Sequence, residues 1–226
     1  MSLIASLDPE LYQIVFLSVV VSGTASILGA LAGVPAGALL AFRRFPGRTL
    51  LIRVVYTLMG LPPVLAGLLV YLLLSSQGPF GRARLLFTPA AMVIVQFILV
   101  FPIVTGLTLV AVRDRDRLVR DTALALGATR WQADLAVIGE SRRAIGAAVM
   151  AAFGRAIAEV GAVMLVGGNI QWQTRVMTTA IVLETRQGRF DVAIALGLIL
   201  LALAFAVNTL VGQVTPMAGG KLDENP

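Results

Sequence analysis

Long apolar runs dominate the chain, at Ile14–Phe42, Leu50–Leu74, Thr88–Val112, Ala144–Gly168 and Phe190–Val214. A bilayer core about 30 Å thick takes about 20 mostly apolar residues as a helix, because lipid offers no partner to an unpaired backbone N–H or C=O. Each run is long enough. A transmembrane barrel would show segments of about 10 residues alternating apolar and polar, whereas these runs are continuous. The pattern predicts an all-α membrane protein, one domain over residues 1–226, with five transmembrane helices at 14–42, 50–74, 88–112, 144–168 and 190–214.

Interruptions inside the runs carry further information. Gly29, Gly33 and Gly37 form a small-residue stripe on the first span, which lets another helix approach closely, either within the subunit or across a subunit interface. Pro62 and Pro63 remove two backbone donors and predict a kink or break near mid-membrane, and Pro102 repeats the theme in the third span. These three prolines are the candidate gate positions. Gln96 in the same span either satisfies a neighbouring helix or lines a pathway.

The pattern changes at residues 113–143, "RDRDRLVRDTALALGATRWQADLAVIGESRR". Charges of both signs open it, as on a solvated helix face. A short helix, a turn at Gly127 and a second amphipathic segment capped by Thr129 are expected next. Leu124, Leu126, Trp131, Leu135, Val137 and Ile138 make it more apolar than a free loop needs, which predicts a covering partner.

Composition sharpens this picture. The chain is 58% hydrophobic and 13% charged, with a mean hydropathy of +0.90, values of an integral membrane protein. It has no Cys and no His, which removes thiol chemistry, imidazole metal sites and Ser-His catalysis and leaves no metal site to propose. No G-x-x-x-x-G-K-[ST] loop occurs, so energy for any active transport must come from a partner. The charge of +6 is distributed unevenly. Arg43, Arg44, Arg48, Arg53, Arg113, Arg115, Arg117, Arg120, Arg130, Arg142, Arg143 and Lys221 share one side, against Arg82, Arg84, Arg175, Arg186 and Arg189 on the other. The positive-inside rule then places the 113–143 loop and the C-terminus in the cytoplasm and the N-terminus outside. Met1–Glu10 has no basic residue and is not expected to begin a cleaved signal peptide.

Two charges interrupt the fourth run, Arg155 and Glu159 in "FGRAIAEVGAVMLVGGN". Each would cost about 2.5–3.5 kcal/mol at the centre of an inserted helix, so an i,i+4 pair on a protein-buried face is expected. Arg155 either offers its guanidinium to a crossing anion or serves this structural pair. A second anion candidate is the loop from Asn169, with Thr174, Arg175 and Thr178, where a short helix would present free N–H groups outward.

The stretch Asp121-Thr-Ala-Leu-Ala-Leu-Gly127, with Val137 ten residues on, resembles the E-A-A-x-x-x-G-x9-I loop of the membrane subunits of binding-protein-dependent ABC importers. Asp121 stands in place of Glu, while Ala123 and Gly127 match; Thr122 departs, and so does Gly139-Glu140 where the motif continues Leu-Pro. "LPPVLAGLLVYLLL", "FGRAIAEVGAVMLVGGN" and "TRVMTTAIVLET" resemble the corresponding stretches of oxyanion importers, tungstate permeases above all. The resemblance implies a type I importer permease whose coupling helix, with Asp121, Ala123, Leu126, Gly127, Ala128, Trp131 and Val137, docks on a cytoplasmic ATPase. It implies no cofactor in this chain, ATP and Mg on the ATPase, and no catalytic residue here. It further implies a homodimer in a prokaryotic inner membrane, fed by an extracytoplasmic oxyanion-binding protein, moving tungstate by alternating access. Molybdate or sulfate import is the alternative substrate reading, and an ATPase-independent anion channel the alternative class. A membrane hydrolase would have only isolated acids such as Glu159 to work with, and no nucleic-acid partner is expected.

Overall fold

The structure, a computed structural model, describes residues 9–214, with side chains to residue 210. The signal-peptide and Lys221 expectations rest mainly on residues outside that range. The described elements are α1 (Pro9–Phe42), α2 (Arg48–Met59), α3 (Pro63–Leu74), a short 3-10 turn (Gly81–Ala83), α4 (Pro89–Ala125), α5 (Arg130–Ile157), α6 (Gly161–Gly167), α7 (Met177–Arg186) and α8 (Phe190–Val214). Helices α1, α4 and α8 are long and apolar enough to cross a membrane alone, and the candidate spans number five if the bent pairs α2/α3 and α5/α6 each count as one.

The two breaks have different origins. Between α2 and α3 the chain turns by 102°. Gly60 closes α2, Pro62 is extended, and Pro63 starts α3 at the position where a missing N–H costs nothing. Pro102 behaves otherwise. It is buried inside α4, which stays helical for all 37 residues, so the break expected at Pro102 is absent. A lone proline forfeits one backbone bond, and the packing of α4 against α1 and α5 holds the rest of the helix. The run Ala144–Gly168, expected as one helix, bends by 57° at residues 158–160 without any proline.

Helix α4 is the spine. A side chain at Gly33 would place its Cβ 2.9 Å from Val104 Cβ, and one at Gly37 would come 2.6 Å from the Thr105 carbonyl. The small-residue stripe of α1 is therefore used inside the subunit, against α4. Because lipid is as apolar as a protein core, such close approach contributes more than exclusion from water does. Nearer the start of α4, α3 and α6 pack together through Ala66, Val70, Ala162 and Val166 with Met92 and Val95, in a cluster that Val21 of α1 also joins. Ile194, Leu198, Leu201 and Phe205 face outward along α8.

The segment 113–143 is neither a detached loop nor a set of separate short helices. It is the continuation of α4 and α5 past their apolar stretches. At 1.5 Å per residue α4 is about 55 Å long, well beyond a bilayer core of about 30 Å. The excess forms a helical hairpin with the start of α5, a stalk closed by the turn at residues 126–129.

Candidate functional site: the stalk tip and the helix break beneath it

The tip is built by backbone chemistry. Gly127 has φ +86°, its N–H bonds to the Leu124 carbonyl, and the Ala128 N–H bonds back to Ala123. This pair of bonds is a Schellman closure, which requires a left-handed residue after the helix end and so selects glycine. Thr129 then caps α5. Its Oγ1 accepts from Gln132 N while Gln132 Oε1 accepts from Thr129 N at 2.8 Å, a reciprocal capping box. Leu126 is 84% exposed and Trp131 66%, with Leu118, Leu124 and Leu135 also open. Val137 differs from the other expected docking residues: it is fully buried and supports the hairpin from within. Asp121 is exposed, and Ala123 and Ala128 are half-buried.

One arginine locks the stalk. Arg120 Nε meets Asp116 Oδ1 at 2.6 Å, its Nη2 reaches Asp134 Oδ1 on α5 at 2.5 Å, and its guanidinium lies 4.9 Å from the ring centre of Phe42. Ser141 Oγ donates to the Ala111 carbonyl across the same seam. The contact with Phe42 also places the end of α1 beside the stalk. Its opposite end carries Glu10, so the first helix starts on the far side from the tip.

The break between α5 and α6 is stitched by its own Glu159 and by side chains from two other helices. Glu159 is buried, and its Oε1 accepts from Ala162 N at 3.1 Å, satisfying the start of α6. Gln96 Nε2 on α4 donates to the Ala156 carbonyl at 3.0 Å, and Thr178 Oγ1 on α7 donates to the Glu159 carbonyl at 2.9 Å. The N–H of Met177 donates to Ser18 Oγ on α1. These groups leave a cavity of about 10 Å³, the room of a single water and too little for a tetrahedral oxyanion.

The expected Arg155–Glu159 pair is not formed. Glu159 lies beyond the end of α5 and turns to the backbone, while Arg155 is exposed and has no partner among the described residues. An i,i+4 pair requires a continuous helix, and residues 158–160 interrupt it.

In the loop between α6 and α7, Thr174 is fully buried, donating to the Gly167 carbonyl and accepting from Ile170 N. Thr178 is likewise buried and engaged, so both hydroxyls hold the fold. Arg175 Nη1 pairs with Glu10 Oε1 at 2.6 Å, and Gln171 Nε2 binds the other Glu10 oxygen. Asn169 takes a left-handed φ of +52° in the turn after α6. Helix α7 starts at Met177, inside the protein, and its first N–H groups do not face outward as expected from Thr174. Among the described residues no three His, Cys, Asp or Glu side chains converge as metal ligands. Gln96 satisfies a neighbouring helix, the first of its two expected roles; Ser18 is the participant that sequence reasoning missed, one of several small hydroxyl residues along α1 with nothing to single it out.

An all-helical body with two bent spans and a helical stalk ending in an exposed apolar tip is the build of a membrane subunit that engages a partner beyond the bilayer. Residues 33–217 match the model of the family described as "binding-protein-dependent transport system inner membrane component", and the chain belongs to that family. It is a non-catalytic, multi-pass inner-membrane component that works with a solute-binding protein and an ATPase. It is 43% identical to the tungstate uptake system permease of Peptoclostridium acidaminophilum, over 93% of this chain and 92% of that one. It is 44% identical to a probable anion ABC transporter permease of Haloferax volcanii, over 88% of each. A sulfate transport permease of Escherichia coli is more distant, at 30% over 88% of this chain and 75% of that protein. Among solved structures, a bacterial ABC transporter that imports alginate shares the fold, with a TM-score of 0.72, 18% identity, and 95% of this chain and 82% of that one covered.

Proposed function

We propose that this chain is the permease subunit of an ATP-driven tungstate importer and that the stalk tip docks on the separate ATPase. The observation that carries the docking reading is the exposed Leu124, Leu126 and Trp131 around a Schellman turn, on helices that run unbroken into the membrane. ATP and Mg are bound by the partner. A displacement of the tip then moves α4 and α5 as levers, because no joint separates stalk from span, and the hinges lie deeper, at residues 60–62 and 158–160. The stalk is cytoplasmic and the start of α1 outside. Two copies line the path, with the unpaired guanidinium of Arg155 turned toward it. Tungstate is favoured over molybdate and sulfate because the Peptoclostridium acidaminophilum relative, at 43% identity, is named for tungstate uptake, while the sulfate permease stands at 30%.

Gly127→Asp tests the docking. The space around Gly127 is open and a left-handed φ strains Asp less than most side chains, so the variant should still insert, while it strains the turn and brings a charge into an apolar contact. The ATPase should co-purify with the wild type and not with the variant; retained binding would refute the docking site. Uptake of tungstate with competing molybdate and sulfate, in cells carrying the cognate binding protein, tests the substrate.

A further inference from the structure

A cleft of about 430 Å³ opens where α1 ends and α4 leaves its apolar stretch, lined by Phe42, Arg44, Arg48, Arg113, Asp116 and Arg120. Four guanidinium groups line it with one carboxylate; Arg120 is already held by that Asp116 and by Asp134, which leaves Arg44, Arg48 and Arg113 without a matching acid. Arg48 is held in place by its own hydrogen bonds, Nε to the Leu40 carbonyl at 2.8 Å and Nη2 to Ala41. That arrangement satisfies the end of α1 and leaves its remaining donors unused, since an arginine has five N–H groups. Arg44 and Arg113 have no hydrogen-bond or ion-pair partner among the described residues. A second polar groove, around Arg115, Arg142 and Arg143, contains Asp114 and Glu140 and is close to charge balance. Only the first cleft concentrates cations without matching acids.

Its position specifies the ligand. Phe42 and Val112 are the last residues of two apolar stretches, so the cleft lies at the level of the lipid headgroups on the stalk side. Helix α2 leaves directly from it. None of its residues is buried, and Leu50, Leu51, Val54 and Leu58 are exposed on one face, apolar surface for acyl chains. Arginines favour phosphate oxygens through paired N–H donors, and basic pockets at this depth suit anionic headgroups. We propose that the cleft binds the phosphate of an anionic phospholipid from the stalk-side leaflet, pinning α1, α2 and α4 together at the membrane surface. The inference rests on the membrane spans and not on the tungstate or ATPase readings, so either can fail alone.

Native mass spectrometry of the purified protein tests it, with added phosphatidylglycerol, phosphatidylcholine of the same chains, sodium phosphate and sodium tungstate. Arg44→Gln with Arg113→Gln should leave the thermal unfolding temperature unchanged, because both side chains are exposed and unpartnered. The pair should weaken phosphatidylglycerol binding by roughly 30-fold, on the scale of two surface arginines. Arg142→Gln with Arg143→Gln removes the same charge elsewhere on the stalk and should have little effect. Equal binding of phosphatidylcholine, an equal loss in the Arg142/Arg143 variant, or no loss in the Arg44/Arg113 variant would overturn the proposal. Displacement of the lipid by phosphate or tungstate at comparable concentration would overturn the headgroup assignment and make the cleft a soluble-oxyanion site.

Discussion

The role of Glu159 is best separated by two substitutions that differ in one property. The carboxylate is 7% exposed and accepts from Ala162 N, itself on a fully buried residue at the start of α6. Glu159→Ala removes the acceptor and strands that N–H in a site with room for one water at most. An unsatisfied buried donor costs about 1–3 kcal/mol, and loss of a helix cap about 1 kcal/mol. Since these describe the same bond, the expected loss is about 2 kcal/mol. At about 2–4 °C per kcal/mol for a domain of this size, the unfolding temperature should fall by about 4–8 °C. Glu159→Gln keeps an acceptor oxygen at the same reach and should shift it by no more than about 2 °C. If Glu159 instead served to neutralise Arg155, Gln and Ala would be equally harmful, and Arg155→Gln would rescue both. Thermal unfolding of the purified variants in detergent or nanodiscs decides the matter. Equal losses for Gln and Ala, or rescue by the second substitution, would refute the reading of Glu159 as a backbone cap.

Two further outcomes follow from the packing. Gly33→Val forces a branched side chain against Val104 and the Phe101 carbonyl and should destabilise the subunit by about 1–3 kcal/mol, seen as reduced thermal stability with insertion retained. Arg120→Met leaves the nearly buried Asp134 without its cation; the loss should be about 2 kcal/mol, below that of a fully buried pair because Arg120 retains some exposure. The same variant should loosen the stalk, measurable as faster amide exchange over residues 113–143.

What was legible in advance were features set by local chemistry. Continuous apolar runs have no stable alternative to helices in lipid, so the all-helical architecture could be read directly. The Pro62-Pro63 break, the Gly127 turn and the Thr129 cap depend on φ preferences and on side chains bonding within four residues, all of which a sequence displays. The stalk as a continuation of the spans was less visible, because alternating charges look alike on a separate loop helix and on an extended one.

The sequence by itself determined that the chain is helical and membrane-bound, that it breaks at residues 60–63, and that it exposes an apolar turn around Gly127. Tertiary structure alone decided that the Gly29–Gly33–Gly37 stripe faces α4, that Pro102 leaves α4 unbroken, and that Glu159 binds backbone in place of Arg155. The physical reason is that these contacts exist only once the helices have packed. Val104 meets Gly33 from another helix, Gln96 and Thr178 bond the bend at residues 158–160 from α4 and α7, and that bend is what turns Glu159 away from Arg155 to the nearby Ala162 N–H. Hydropathy reports that a segment is buried, while the identity of the neighbour, on which every one of these bonds depends, exists only once the helices have packed.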